Sequence, residues 1–552
     1  MRRVCWSPVR LLLMFSGAVA ALQAQLPAIY PHGVVNSASF LASGLPAGSI
    51  AQGSIFTIFG SALGPATGLK VSSFPLGTSL SGVSISVTQG ATTVNALPLF
   101  VQQGQINALM PSNAPLGWVS LRVVHNNAFS NPSPVYVVHD SPGIYTSTGS
   151  GGGAAALSNA GSNGALTPNS NQASAKPGQT VQLYLTGLGP ITTPDNAAPP
   201  ANSPATPVEV WVGGISAAVT YSGRSPCCSG LDQVDFIVPS NAPAGCWVPV
   251  EIRTSKANVS NGVSMAVAAN GGACSDPENP LTSTIVKGGP IGELWLTRTA
   301  VHQDVGLINS IDIVGDTLDS LAQTQPGGPF VSPPLLAAPP PGTCQVYAGV
   351  GDYWGTGKLS DATAFTALDV GTQFSVTGPG GVQNVALAFG TAPLGSQMPI
   401  WQYPNTLYLA PGNYKVSGAG GNDVGAINVS IPVASTLTWT NRDQTTTVSR
   451  SQPLTLNWSG GPSGQSVAIL GENSDLRTNS SALFYCVAPV GAASFTIPPQ
   501  VLAFIPPTRP NPMDSTGIIF VISSSSVPLT AQGLDVGLAS STYKTGKTVI
   551  FQ

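Results

Sequence analysis

Apolar and polar residues alternate with a period of two through much of this chain. In "VSISV" (83–87), Val83, Ile85 and Val87 fall on one face and Ser84 and Ser86 on the other; "VSLRV" (119–123) and "VEVWV" (208–212) repeat the pattern. Such alternation marks a half-buried strand of an antiparallel sheet. Through residue 270 no segment sustains a helical apolar pattern over three turns. Further on, "FSVTG" (374–378), "LYLAPGNYKVSG" (407–418), "INVSIPV" (427–433), "PLTLNWSGG" (453–461) and "SFTIPPQVL" (494–502) again read as strands and turns. Two segments depart from this rhythm. "SIDIVGDTLDSLAQT" (310–324) is expected to include a short helix, and the small, polar residues 146–176 read as a long surface loop.

The pattern also repeats at long range. "GSIFTIFGSALGP" (53–65) returns as "GQTVQLYLTGLGP" (178–190), "QINALMPSNAPLG" (105–117) as "QVDFIVPSNAPAG" (233–245), and "SNPSPVYVV" (130–138) as "SNGVSMAVA" (260–268). The offsets of 125, 128 and 130 drift as loop insertions would make them, so the chain carries an internal duplication. A unit of this length with closely spaced turn signals fits an immunoglobulin-like sandwich. The expected fold is all-β, with tandem immunoglobulin-like β-sandwich domains. The expected organisation is a signal peptide (1–24), repeat 1 (25–141), repeat 2 (142–270), a linker (271–290), a β-rich domain (291–434) and a last immunoglobulin-like sandwich (435–552).

Composition narrows the function classes. Only 7% of residues are charged while 42% are apolar, and Gly (63) and Pro (50) are abundant; this favours many short strands joined by turns over disorder. Arg2, Arg3 and Arg10 precede "LLLMFSGAVAAL" (11–22), an apolar run too short to span a bilayer, and Ala24 suits a cleavage point. The chain therefore reads as secreted or held at the cell surface or outer envelope. Without that leader the 19 Lys+Arg fall to 16 against 22 Asp+Glu, leaving about −6. No basic field remains for a phosphate backbone, so nucleic acid is not an expected partner. Nor does any later stretch have the length of a transmembrane helix.

"GVVNSASF" (33–40), "GSIFTIFGSALGP", "GQINALMPSNAPLG" (104–117), "SPGIYT" (141–146), "VQLYLTGLGP" (181–190), "VWVGGISAAVTYSG" (210–223) and "GLDQVDFIVPSNAPAGC" (230–246) stand in a distinctive order. Over residues 28–270 the chain resembles an uncharacterised domain family abundant in exported proteins of acidobacteria. Its "GSIFTIFGSALG" segment is similar to the start of TIG-type immunoglobulin-like domains. The resemblance implies export and a β-sandwich, and it implies no catalytic residues.

Candidate chemistry is sparse. The duplicated glycine motif is not followed by a helix, so it reads as a strand ending in a Gly-Pro turn and not as a phosphate cradle. "GVGDYWGTG" (349–357) and "GSGGGAAA" (149–156) lack the strand–helix context of a nucleotide loop. His32, His125, His139 and His302 sit in no catalytic motif, and Gly-x-Ser-x-Gly is absent. Asp304, Asp312, Asp316 and Asp319 lack the spacing of a calcium loop and read as a solvated face. No cofactor or metal is expected.

Six cysteines follow the leader, an even number that suits disulfides in an exported chain. Cys227, Cys228, Cys246 and Cys274 are the disulfide candidates; as a four-thiolate zinc set they have unsuitable spacing. A shift of 128 places Cys228 on Phe100 and Cys246 on Trp118. The second repeat is thus expected to replace an aromatic contact by a Cys228–Cys246 bond, freeing Cys227 to reach Cys274, with a vicinal Cys227–Cys228 bond as the alternative. Cys344 and Cys486 either pair or stay reduced and buried. Tyr353, Trp354, Trp401 and Tyr403 lie in Gly/Pro-rich loops, where aromatic faces can stack on sugar rings. The leading expectation is a non-enzymatic structural, adhesive or scaffolding protein whose partners are cell-surface polysaccharide or other envelope proteins. The alternative is a carbohydrate-binding protein using those four aromatics, and a hydrolase in the C-terminal half ranks third.

Overall fold

The structure is a computed structural model. It describes residues 26–552 except 200–205, 255–257, 277–278, 306–308, 325–326, 331–337, 351–365, 387–396, 400–406, 434–435, 462, 476 and 510–516. The architecture is all-β with tandem immunoglobulin-like sandwiches.

Repeat 1 contains β1 (Ala28–Asn36), β2 (Ile50–Ala51), β3 (Ile55–Ser61), β4 (Val83–Gln89), β5 (Thr92–Gln102), β6 (Gln105–Leu109), β7 (Gly117–His125) and β8 (Ser133–Val138). Their order is β1-β3-β6-β5-β4-β7-β8-β2. The two faces of the sandwich share β5. Its residues 97–102 pair with β6, whereas 92–96 pair with β4, and a bulge between Pro98 and Phe100 lies beside the crossing. The alternation seen in the sequence becomes burial: Val83, Ile85 and Val87 are inside with Phe56, Ile58, Ile106 and Leu121.

Repeat 2 contains β9 (Gly153–Ala154), β10 (Leu157–Ala160), β11 (Thr180–Thr186), β12 (Glu209–Val212), β13 (Ile215–Arg224), β14 (Asp232–Ile237), β15 (Gly245–Arg253) and β16 (Val263–Val267). The order β10-β11-β14-β13-β12-β15-β16-β9 matches repeat 1 except at the two outer strands, whose chain order is exchanged: β2 follows β1, whereas β9 precedes β10. Even the parallel edge pairs correspond, β8 with β2 and β16 with β9. Residues 146–176 are therefore not simply a surface loop. They supply β9 and β10, and Ala155, Leu157 and Ala175 enter the core of repeat 2.

The expected linker is also packed. Its α1 (Thr282–Lys287) ends at Gly288 in the left-handed conformation, φ 79°. Leu281 and Ile285 are buried with Cys246, Trp247 and Ile291.

Beyond it lie β17 (Ile291–Val305), β18 (Asn309–Thr324), β19 (Thr343–Val350), β20 (Val467–Asp475), β21 (Ser480–Val487), β22 (Gly517–Pro528) and β23 (Val536–Phe551). They form one sheet in the order β19-β21-β20-β22-β23-β17-β18. Residues 310–324 thus form a strand and no helix. In-register pairing with β17 along its whole length decides the local conformation. The expected boundary near 434 does not separate sheets, because β17 runs parallel to β23 and β19 pairs with β21 across it. A four-stranded sheet (Gln373–Gly378, Gly381–Ala386, Gly412–Gly418, Ile427–Val433) and a three-stranded one (Leu437–Trp439, Leu454–Gly460, Ser494–Ile497) complete this C-terminal module.

Candidate functional site

The most elaborate polar arrangement lies where the repeats meet. The hairpin β13–β14 places Arg224 directly opposite Asp232, and both side chains are buried. One Arg224 guanidinium nitrogen pairs with Asp232. The other donates to the carbonyl oxygens of Gly53 (2.8 Å) and Gly189 (2.7 Å). These glycines open the first copy of the repeated motif and close the second, so one arginine joins the two copies. Gly53 has φ +69°, and a Cβ there would lie 2.3 Å from the Arg224 guanidinium; only glycine suits both the turn and the close approach.

Further bonds extend the joint. Ile55 N–H donates to Thr186 Oγ1 (2.9 Å), whose hydroxyl donates to Gly230 O (2.7 Å). Asp195 accepts from Ser112 N–H (2.8 Å) and Ser112 Oγ (2.7 Å). Asp140, between the repeats, accepts from Thr254 and Asn258. Burial pushes the Asp232 carboxyl up, and Arg224 with the Leu188 and Gly187 N–H groups pulls it back toward the charged form. A charge pair this deep is stable only with such partners.

The C-terminal module rests on both repeats. Leu41 and Ala47 of repeat 1 and Val259 of repeat 2 share a core with Leu437, Trp439, Ile469 and Phe484.

The cysteines pair differently from the expected exchange. The structure joins Cys227 to Cys228, Cys246 to Cys274 and Cys344 to Cys486. The vicinal alternative therefore holds, and Cys228 does not reach Cys246. The reason is a bulge in β15. In repeat 1, Trp118 alone lies between the matched pairs Gly117–Val137 and Val119–Val135, opposite Tyr136. In repeat 2 both Cys246 and Trp247 lie between Gly245–Val267 and Val248–Met265. The extra residue re-aims the strand, and Cys246 meets Cys274 at a Cα separation of 5.2 Å. The expected Phe100–Trp118 contact is likewise absent among the ring contacts of the described residues; Trp118 instead packs against Tyr136 in a tilted arrangement, with ring centroids 5.2 Å apart and planes at 59°. Cys344 and Cys486 are directly opposed on β19 and β21.

Tyr353, Trp354, Trp401 and Tyr403 lie outside the described residues, as does the leader 1–24. The acidic run is not one solvated face: Asp316 is buried, bound by two bonds to Arg298 and accepting Leu409 N–H. Among the described residues no group of three His, Cys, Asp or Glu side chains could hold a metal ion. His139 pairs with Asp140 and His302 with Asp312. Sequence reasoning missed Arg224 and Asp232. Their signal was a pair of opposite charges eight residues apart, spanning a turn, in a chain with few charges.

No family model and no curated protein matches this chain. Among solved structures it is similar to SGBP-B from a complex xyloglucan utilization locus in Bacteroides uniformis, at 12% identity, covering 68% of this chain and 87% of that one, TM-score 0.17. It is also similar to the I9-I11 tandem from titin (5% identity, 69% and 94%, TM-score 0.13) and to domains 4-9 of surface layer protein SbsC (11%, 93% and 65%, TM-score 0.17). At these TM-scores the likenesses carry no functional argument.

Proposed function

We propose that this chain is a non-enzymatic, exported scaffolding or adhesion protein whose modules are fastened into one stiff body. The observation that carries this reading is the Arg224 joint: a buried guanidinium, held in repeat 2 by Asp232 and Gly189 O, donates across to Gly53 O of repeat 1. Three disulfides fit an oxidising compartment. No helix among the described residues is long and apolar enough to cross a membrane. Envelope proteins or surface polysaccharide are the partners such a scaffold would hold. Fractionation of cells carrying a tagged chain tests the reading. The tag is expected outside the cytoplasm, with all six cysteines oxidised, and deletion is expected to weaken envelope integrity or attachment. A reduced chain recovered from the cytoplasm would contradict it.

A further inference from the structure

The outer face of repeat 2 meets β19 and the segment 495–504 across a cleft of about 260 Å³. That is just under the roughly 300–1,000 Å³ of ordinary ligand pockets. Trp211, Phe495 and Phe504 supply aromatic surface, and Arg253, Gln345 and Gln500 supply polar groups.

Two of the polar groups are incomplete. Gln345 is only 6% exposed; its Nε2 donates to Val346 O (3.2 Å), while its Oε1 has no hydrogen-bond partner. Gln500 Oε1 is likewise buried and unpartnered. A buried carbonyl oxygen without a donor is costly, and two of them line one cleft. The charged groups are already matched. Arg253 pairs with Glu251, and its guanidinium lies over the Trp211 ring, 4.2 Å from the centroid. What these two oxygens lack is a donor, and a ligand completing them would present uncharged donors beside aromatic surface.

We propose that this cleft binds a neutral, hydroxyl-rich ligand of one or two sugar rings. Hydroxyl groups would donate to Gln345 Oε1 and Gln500 Oε1, and ring C–H groups would lie against the aromatic wall. An extended peptide also offers donors, but it needs a longer groove than this volume provides. The site is separate from the loop aromatics at 353–354 and 401–403, and it does not depend on the scaffolding role.

Titration of the disulfide-intact chain with glucose, galactose, mannose, xylose, N-acetylglucosamine and their disaccharides tests the proposal, read by calorimetry and tryptophan fluorescence. At least one neutral sugar is expected to bind saturably. Trp211→Ala and, separately, Gln500→Leu are expected to weaken it about tenfold or more, the equivalent of one good hydrogen bond. Both positions are only partly buried, so the variants should keep the wild-type circular dichroism spectrum; Gln345→Leu serves as a third probe. Failure of every neutral sugar to bind, binding unchanged in both variants, or binding only of glucuronate or short peptides would overturn the proposal.

Discussion

The two repeats place the same strand in opposite circumstances. In repeat 1, β7 presents Trp118 at 62% exposure, beside Tyr136 of β8 at 39%. In repeat 2 the corresponding stretch of β15 buries Cys246 and Trp247 to 2% and 4%, under Leu281, Ile285 and Ile291. One inserted residue makes the difference. It creates the bulge that lets Cys246 reach Cys274, and Asp276 then accepts Cys246 N–H (3.0 Å) and Thr282 Oγ1 (3.1 Å) beside the short helix. A duplicated sandwich has thus kept its framework and turned one strand from a free surface into an attachment point. Repeat 2 becomes the hub: Arg224 fastens it to repeat 1, and the bulge fastens it to α1 and the start of the C-terminal module.

The contrast predicts a graded series of effects. Trp247→Ala should cost about 3–5 kcal/mol in urea unfolding, as for a large core side chain. Arg224→Met should cost a comparable 3–5 kcal/mol because it strands Asp232 in the interior, and it should separate the unfolding of the two repeats in calorimetry. Joint replacement of Cys246 and Cys274 by Ser should remove about 3–4 kcal/mol, the chain-entropy value for a 28-residue loop. That loss should fall on repeat 2 and the C-terminal module and leave repeat 1 unchanged.

The C-terminal module should show a pH effect centred on one carboxyl. Glu293 on β17 is partly buried, with its Oε2 fully buried and unpartnered, and this desolvation pushes its carboxyl up to about 8. The unfolded chain ionises this group near pH 4.5, whereas the folded chain keeps its proton until about pH 8. Stability should therefore fall as pH rises through that window, by on the order of a few kcal/mol. Glu293→Gln should remove that dependence in urea titrations at stepped pH. The smallest effect should be that of Trp118→Ser, within about 0.5 kcal/mol, as for an exposed surface position. A large loss there would mean that the free face of repeat 1 is structural after all.

Much of the repeat architecture was legible because its strands are local statements. The alternation in "VSISV" and "VEVWV" survives into burial almost unchanged. The features that escaped depend on partners distant in sequence. Residues 310–324 look helical in isolation, but β18 is set by β17, and β17 by β23 more than two hundred residues away. The same long-range pairing erases the boundary near 434. The cysteine pairing failed for a subtler reason. A fixed shift of 128 assumes no insertion within the strand, and the bulge adds one residue just where Cys246 lies. The Arg224–Asp232 pair was visible as two charges, but its role required knowing that Gly53 and Gly189 come together.

Small-angle X-ray scattering of the oxidised chain, beside Arg224→Met, is the sharpest check on whether the modules are fastened into one body. Wild type should scatter as a rigid particle, with the same maximum dimension in low and high salt, and Arg224→Met should show a longer, broader distance distribution. A wild-type profile of flexibly linked beads, or an Arg224→Met profile identical to a compact wild type, would contradict it.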